Sequence, residues 1–294
     1  MKCGLHFKSR IYTTGLGNDR QVPRCPNCYR LGSTSIGEKE LLHWIERQGI
    51  RCLSNIRSII PPLELDIYIP DYKLAIEYNG IHWHKSHDKN YHLNKMEQCR
   101  GKGIRLLQFF DFEWDAKRAL VIQTVSFYLN LIEKEHIKNL VVKNCIADEA
   151  LKFYDKYSFS NNAGDYNLAF LSLNEAVAMI SFNMKGVSCE IVNFGFASVF
   201  VRKKYLCYIV DKVFELSDAK TMTFSLDMRL YSVGEFAGFD VVDANEPKKI
   251  QFKNDFSYDC GNIVIAKKAD SLSIFENVID SLPFYRAHSQ LMLF

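Results

Sequence analysis

The segment that most constrains this chain is Glu64-Leu-Asp66-Ile-Tyr-Ile-Pro70-Asp-Tyr-Lys-Leu74-Ala-Ile-Glu77-Tyr-Asn-Gly80-Ile-His82-Trp-His84. Two short apolar runs, Leu65–Ile69 and Leu74–Ile76, flank the turn Pro70–Lys73, and polar side chains alternate with core-facing ones. That pattern predicts a β-hairpin. The hairpin and its exit then gather Asp66, Glu77, His82 and His84 into one small region. Acids on adjacent strands can converge on a divalent cation, and a nearby imidazole can handle a water proton. The residues themselves therefore point to metal-dependent phosphodiester hydrolysis.

The rest of the chain sets bounds on that expectation. With 294 residues, 48% apolar content, 21 Phe and 15 Tyr, it can build two real cores, which argues against disorder. No apolar run reaches the roughly eighteen residues that span a bilayer, so no membrane partner is expected. Met1–His6 has no apolar leader pattern, and a cytoplasmic location is the expectation. Nine cysteines in such a chain read as thiols or metal ligands rather than disulfides. The net charge is only +3, but residues 1–36 are rich in Lys and Arg, including Arg24 and Arg30. A second basic stretch holds Lys85, Lys89, Lys95, Arg100, Lys102 and Arg105; both suit phosphate contacts as well as an ordinary solvated surface.

Along the chain, residues 1–31 form a short cysteine-bearing module and 32–37 a linker. Ser35-Ile-Gly-Glu38 predicts a capping box that opens a helix to about Gln48. After the hairpin come a polar helix from His92 to Gly101, a buried strand over Ile104–Phe110 and an amphipathic helix from Trp114 to about Glu135. This order describes a compact α/β unit over 32–138. From 139 to 294 the pattern is α+β. Helices are expected at 147–157 and 202–216, with strands near 167–172, 176–183, 189–194, 220–226, 239–243 and 261–266.

The first unit resembles a known family. Ile76-Glu-Tyr-Asn-Gly80-Ile-His-Trp83-His84 is similar to the core of the very short patch repair endonucleases. Glu38, Glu64-Leu-Asp66, Glu77-Tyr-Asn-Gly80, Trp83-His84, Tyr91-His-Leu-x-Lys95, Cys99, Lys102-Gly-Ile104 and Glu113-Trp114 extend the match to phage homing endonucleases of the E-D-x-H-D type. The resemblance covers roughly residues 32–135 and implies a restriction-endonuclease-like core. It implies Asp66 and the Tyr78 backbone carbonyl as Mg²⁺ ligands and His84 at the attacking water. Glu38 would support the metal's water shell, although it also suits the capping-box role. Glu77 would be a ligand in the restriction-enzyme manner, a position where the repair enzymes carry no acid; Asn79 stands where the restriction pattern has lysine. The last acid of the pattern falls at Asp111 or Glu113, left open between them. His82, Lys85, His92 and Lys95 are read as contacts to double-stranded DNA, with Lys95 or Lys102 steadying phosphate charge. One site per chain nicks, unless a homodimer forms on DNA.

Cys25-Pro-Asn-Cys28, with Cys3 and His6 upstream, resembles part of a zinc knuckle. Zn²⁺ held by these four residues and a degenerate remnant with free thiols both stand. Cys52, Cys99, Cys145, Cys189, Cys207 and Cys260 read as core residues.

The C-terminal unit resembles a GNAT acyltransferase fold through Leu168–Leu171, Ala176–Phe182 and Ser225–Phe239. Such enzymes open their central helix with a glycine-rich turn whose amides reach the coenzyme pyrophosphate. Here that place reads Ala197-Ser-Val-Phe-Val-Arg202-Lys-Lys204, with no glycine, which counts against acetyl-CoA and leaves Arg202, Lys203 and Lys204 as candidate DNA contacts. Asp227 and Arg229 read as an internal ion pair. Three functions are thus carried forward: a phage-borne, Mg²⁺-dependent DNA endonuclease, a GNAT-type acyltransferase acting on a nucleobase or protein, and an inactive DNA-binding protein.

Overall fold

The computed structural model describes residues 35–80, 88–137, 139–236, 238–252 and 255–269. Cys3, His6, Arg24, Cys25, Cys28 and Arg30 lie outside the described residues, as do His82, His84 and Lys85 at the hairpin's exit.

The hairpin forms as its alternation predicts. Strand β2 (Leu65–Ile69) and strand β3 (Leu74–Asn79) pair antiparallel, joined by a single 3₁₀ turn that ends at Lys73 in the left-handed region. Strand β1 (Leu53–Ile56), which has no clear sequence signal, pairs with β2, and strand β4 (Arg105–Phe110) pairs parallel with β3. All six residues of β3 are buried, as expected of a central strand covered on both faces.

One face of this sheet carries helix α1 (Ile36–Arg47) and helix α3 (Asp111–Tyr128); Leu41, Ile45, Ile67, Ile76, Leu107 and Val121 share its core. Helix α2 (Tyr91–Arg100) covers the other face, with Met96 and Cys99 against Ala75 and Leu106. The first unit is therefore a three-layer α/β/α sandwich. The sequence pattern carried α3 on to Glu135, but the helix ends at Tyr128. Asn130 adopts a φ of 55°, the left-handed conformation that closes a helix.

The second unit begins with strand β5 (Val141–Asn144) and helix α4 (Ala147–Tyr157). Strands β6 (Tyr166–Ser172), β7 (Glu175–Lys185) and β8 (Ser188–Phe196) follow as a meander. Helix α5 (Val199–Ser217) leads to strand β9 (Thr221–Asp227), then come β10 (Asp240–Asn245), β11 (Lys249–Phe252), β12 (Asp255–Tyr258) and β13 (Asn262–Lys268). Seven strands join in the order β10-β13-β9-β8-β7-β6-β5, with β11 and β12 a separate hairpin. Among the described residues of this sheet, β8 and β9 are the neighbours that pair in parallel, over Ser188–Ile191 and Thr221–Phe224, and both strands continue beyond the point where that ladder stops.

The two units share cores. Leu230 packs with Leu107, Phe109 and Trp114, while Met228 and Cys260 join the α2-side cluster. Among the described residues, no helix is long and apolar enough to cross a membrane.

Candidate functional site

Register brings the acids together. Ile67 lies opposite Ile76, so Asp66 and Glu77 are cross-strand neighbours on the sheet face that α2 covers. The Asp66 amide donates to Glu77 Oε1 at 3.2 Å, and the Tyr78 amide donates to Asp66 Oδ2 at 2.9 Å. Like charges placed so oppose one another. A cation answers them: Lys95, one turn into α2 and buried, ion-pairs with Glu77 Oε2.

Glu38 joins from α1. Ser35 caps that helix by accepting the Glu38 amide at 3.0 Å, which is one half of the predicted capping box. The Glu38 carboxyl itself is buried, and its Oε1 has no hydrogen-bond partner among the described residues. The turn bearing it fits tightly against β3: a Cβ on Gly37 would lie 2.2 Å from the Tyr78 hydroxyl oxygen. Only glycine lets α1 approach this closely.

Protonation follows from this crowding. Burial, then the charge of Asp66, pushes the Glu38 carboxyl up to about 8. Burial, then Asp66, pushes Glu77 up to about 8 against the pull of Lys95. Asp66 is raised mainly by burial. Lys95 is held protonated: Glu77 and Asp66 outweigh its desolvation and raise it. When all ionise, three carboxylates against one ammonium leave a net excess of two negative charges. That excess and the orphaned Glu38 oxygen fit a divalent cation. Among the described residues, no three His, Cys, Asp or Glu side chains are gathered closely enough to hold one unaided.

The two candidate last acids separate. Asp111 opens α3 at the end of β4, where Asn79 and Phe110 are register partners, so it stands at the same sheet end as Tyr78. Glu113 faces elsewhere: it accepts the Phe110 amide at 2.8 Å and takes a two-pronged contact from Arg229 at 3.0 and 3.1 Å.

Three residues read as DNA contacts are placed otherwise. His92 is buried, with Nδ1 3.0 Å from Gln108 Oε1 and Nε2 3.3 Å from Ser257 Oγ. The amide oxygen can only accept, so Nδ1 donates to it, while Nε2 shares a hydrogen bond with the Ser257 hydroxyl. Neither nitrogen is left for a phosphate. Lys95 faces Glu77 rather than solvent, and Arg202 is buried against Glu235. All three misplacements have one cause: the polar faces that look solvated in sequence are covered by the other unit or by the sheet. Lys203 bonds Asn130 at 2.9 Å on the surface. Of the six cysteines expected in cores, Cys99, Cys189 and Cys260 are buried, and Cys52, Cys145 and Cys207 are half-buried.

Gln108 has no signal in the sequence, yet its amide nitrogen reaches both the His92 carbonyl and Cys260 Sγ. Arg229 does pair with Asp227, at 2.7 Å, but its grip on Glu113 joins residues far apart in the chain.

In the second unit a cavity of about 360 Å³ lies where β8 and β9 part, lined by Asn193, Phe194, Ser225, Asp227 and Arg229 among others. The polar groups around it are largely spent on each other. Asn193 alone serves Ser158, Ser160 and Asn162.

No protein-family model and no curated protein matches this chain. Solved structures do, and most of those similar to it are acetyltransferases. The ribosomal-protein-S18-alanine N-acetyltransferase from Escherichia coli is 9% identical with a TM-score of 0.36, covering 45% of this chain and 94% of its own. A GNAT family acetyltransferase from Elizabethkingia anophelis with acetyl-CoA bound is 16% identical with a TM-score of 0.31, covering 45% of this chain and 99% of its own. The catalytic domain of the homing endonuclease I-Bth0305I is 23% identical with a TM-score of 0.28, covering 34% of this chain and 100% of its own.

Proposed function

We propose that this chain is a divalent-metal-dependent phosphodiesterase acting on double-stranded DNA, of the repair-endonuclease-like homing type. The observation that carries the reading is the acid set of buried Glu38, buried Glu77 and half-buried Asp66, with Lys95 paired to Glu77. Clustered carboxyls of this kind oppose stability through desolvation and mutual repulsion, and Lys95 answers only Glu77 and Asp66. A bound cation would offset that repulsion.

Asp66 and the Tyr78 carbonyl would hold Mg²⁺, which would supply phosphate polarisation and a more acidic water. The remaining roles belong to the chain. Glu77 is already engaged by the Asp66 amide and Lys95, so it sets the position and charge of Asp66. Glu38, raised to about 8, is poised to exchange a proton near neutral pH. Asp111, at the same sheet end, would meet the leaving side of the phosphate. His84 would orient the attacking water, and Zn²⁺ at Cys3, His6, Cys25 and Cys28 would stiffen a basic DNA-binding module; these roles rest on the sequence resemblance. A single site per chain nicks, and paired copies would cut both strands. Action inside a phage-infected bacterial cell belongs to the same proposal.

The test is cleavage of long duplex DNA with Mg²⁺, comparing the native chain with Asp66→Ala and His84→Ala. Cutting that survives Asp66→Ala sinks the assignment. Acyl transfer in the second unit is the second reading, favoured by the parting of β8 and β9 and the cavity beside it. Acetyl-CoA turnover without any DNA cleavage would select it.

A further inference from the structure

The resemblance of the second unit implies acetyl-CoA, and its residues do not fit that group. At the start of α5, Ser198 Oγ accepts the Val201 amide at 3.3 Å and the Ala197 amide donates to the Val177 carbonyl at 2.8 Å. The Phe196 carbonyl is taken from outside the unit, by Gln123 of α3 at 3.2 Å. A pyrophosphate needs free amides at a helix start and a positive approach. The cavity in front of α5, about 710 Å³, is lined instead by Trp44, Ile122, Leu131, Glu133 and Glu135, and among the described residues its lining includes no lysine or arginine. Two carboxylates facing that entrance repel a polyanionic coenzyme. One wall of the wedge between β8 and β9 is aromatic: Phe194 packs on Tyr231 at 5.1 Å and on Phe224 at 5.6 Å, and Phe236 packs on both Phe194 and Phe224.

What occupies the face of α5 is the first unit. Tyr128 of α3 donates to the Leu230 carbonyl or Glu235, at 3.0 and 2.7 Å, and Arg202 of α5 binds the same Glu235 while lying over Phe127 at 4.0 Å. Further contacts run towards the acid cluster. Arg229 donates to the Gln108 carbonyl at 3.3 Å, grips Glu113 and covers Phe110. Gln108 is the register partner of Glu77, and its side chain meets His92, which Ser257 holds from the far side.

We propose that the second unit is an internal brace for the acid-bearing sheet, its coenzyme face given over to contact with α3, with Arg229 the residue that positions β4 and the first turn of α3. The brace's catalytic meaning rests on the phosphodiesterase reading; its existence does not. The test uses the full chain and two readouts that need no DNA cleavage. Calorimetric titration with acetyl-CoA should show no saturable binding. Amide hydrogen exchange should quicken at Asn79 and Phe110, by about tenfold or more, in Arg229→Met relative to the native chain. Saturable binding of acetyl-CoA overturns the assignment of the α5 face, and unchanged exchange in a folded Arg229→Met overturns the brace. If that variant does not fold, Ser257→Ala carries the test. It should shift the ring resonances of His92 and speed exchange at Gln108, and unmoved signals overturn the proposal.

Discussion

Arg229 and Glu113 meet through a two-pronged contact at 3.0 and 3.1 Å, both side chains buried, and so tie the loop after β9 to the first turn of α3. Removing one partner leaves the other charge stranded. Arg229→Met should therefore cost about 3–5 kcal/mol by urea unfolding. Glu113→Gln in the same background should return part of that loss. A strictly additive double variant would show that the pair is not coupled.

Among the described residues, Lys95 is the cation that faces Glu77 and Asp66. Lys95→Met should destabilise the protein more at alkaline than at acidic pH, because the carboxyls it leaves behind can shed their charge by binding protons. Cleavage should fall at least tenfold (about 1.4 kcal/mol of barrier) and should not return in Lys95→Arg, whose planar fork differs from an ammonium. Full activity in Lys95→Met would exclude it from the site.

Glu38 and Glu77 titrate near 8 in the fold against 4.5 as free side chains. The native state therefore binds more protons than the unfolded chain between these values. Their contribution to stability is complete below about pH 4.5, declines as pH rises and is gone above about 8. Thermal unfolding without metal should follow that decline, and Glu38→Gln should flatten it. Added Mg²⁺ should stabilise the protein more at pH 8 than at pH 5, since the ion competes with those protons. Equal stabilisation at both pH values would argue against a metal at these acids.

Gly37 has no room for a side chain against Tyr78. Gly37→Ala should cost about 1–3 kcal/mol as α1 moves off β3. It should also carry Glu38 away from Asp66, lowering the midpoint of the Glu38 titration towards its ordinary value. An unshifted Glu38 titration would mean that α1 does not move.

Local pattern made much of the fold legible. The period-two alternation over Leu65–Ile76 specified the hairpin, and helix periodicity placed α1 and α4 within a residue or so of their observed bounds. The short strands β1, β5, β11 and β12 were not legible, because four residues carry too little alternation to stand out. Asp66 and Glu77 were readable as a pair, since acids at core positions in strands contradict the burial their neighbours require; Glu38, on a helix, showed only a capping pattern.

What the sequence determined by itself is therefore the period of each element and the misfit of acids within it. What only the tertiary structure decided is which polar face meets water. The i, i+3 spacing of His92 and Lys95 puts them on one side of α2, as it would on any helix. That side turned inward because Glu77 lies beneath it and Ser257, 165 residues away, closes over His92. A helix face becomes an interior only when a distant segment covers it, and contacts that remote leave no period in the sequence.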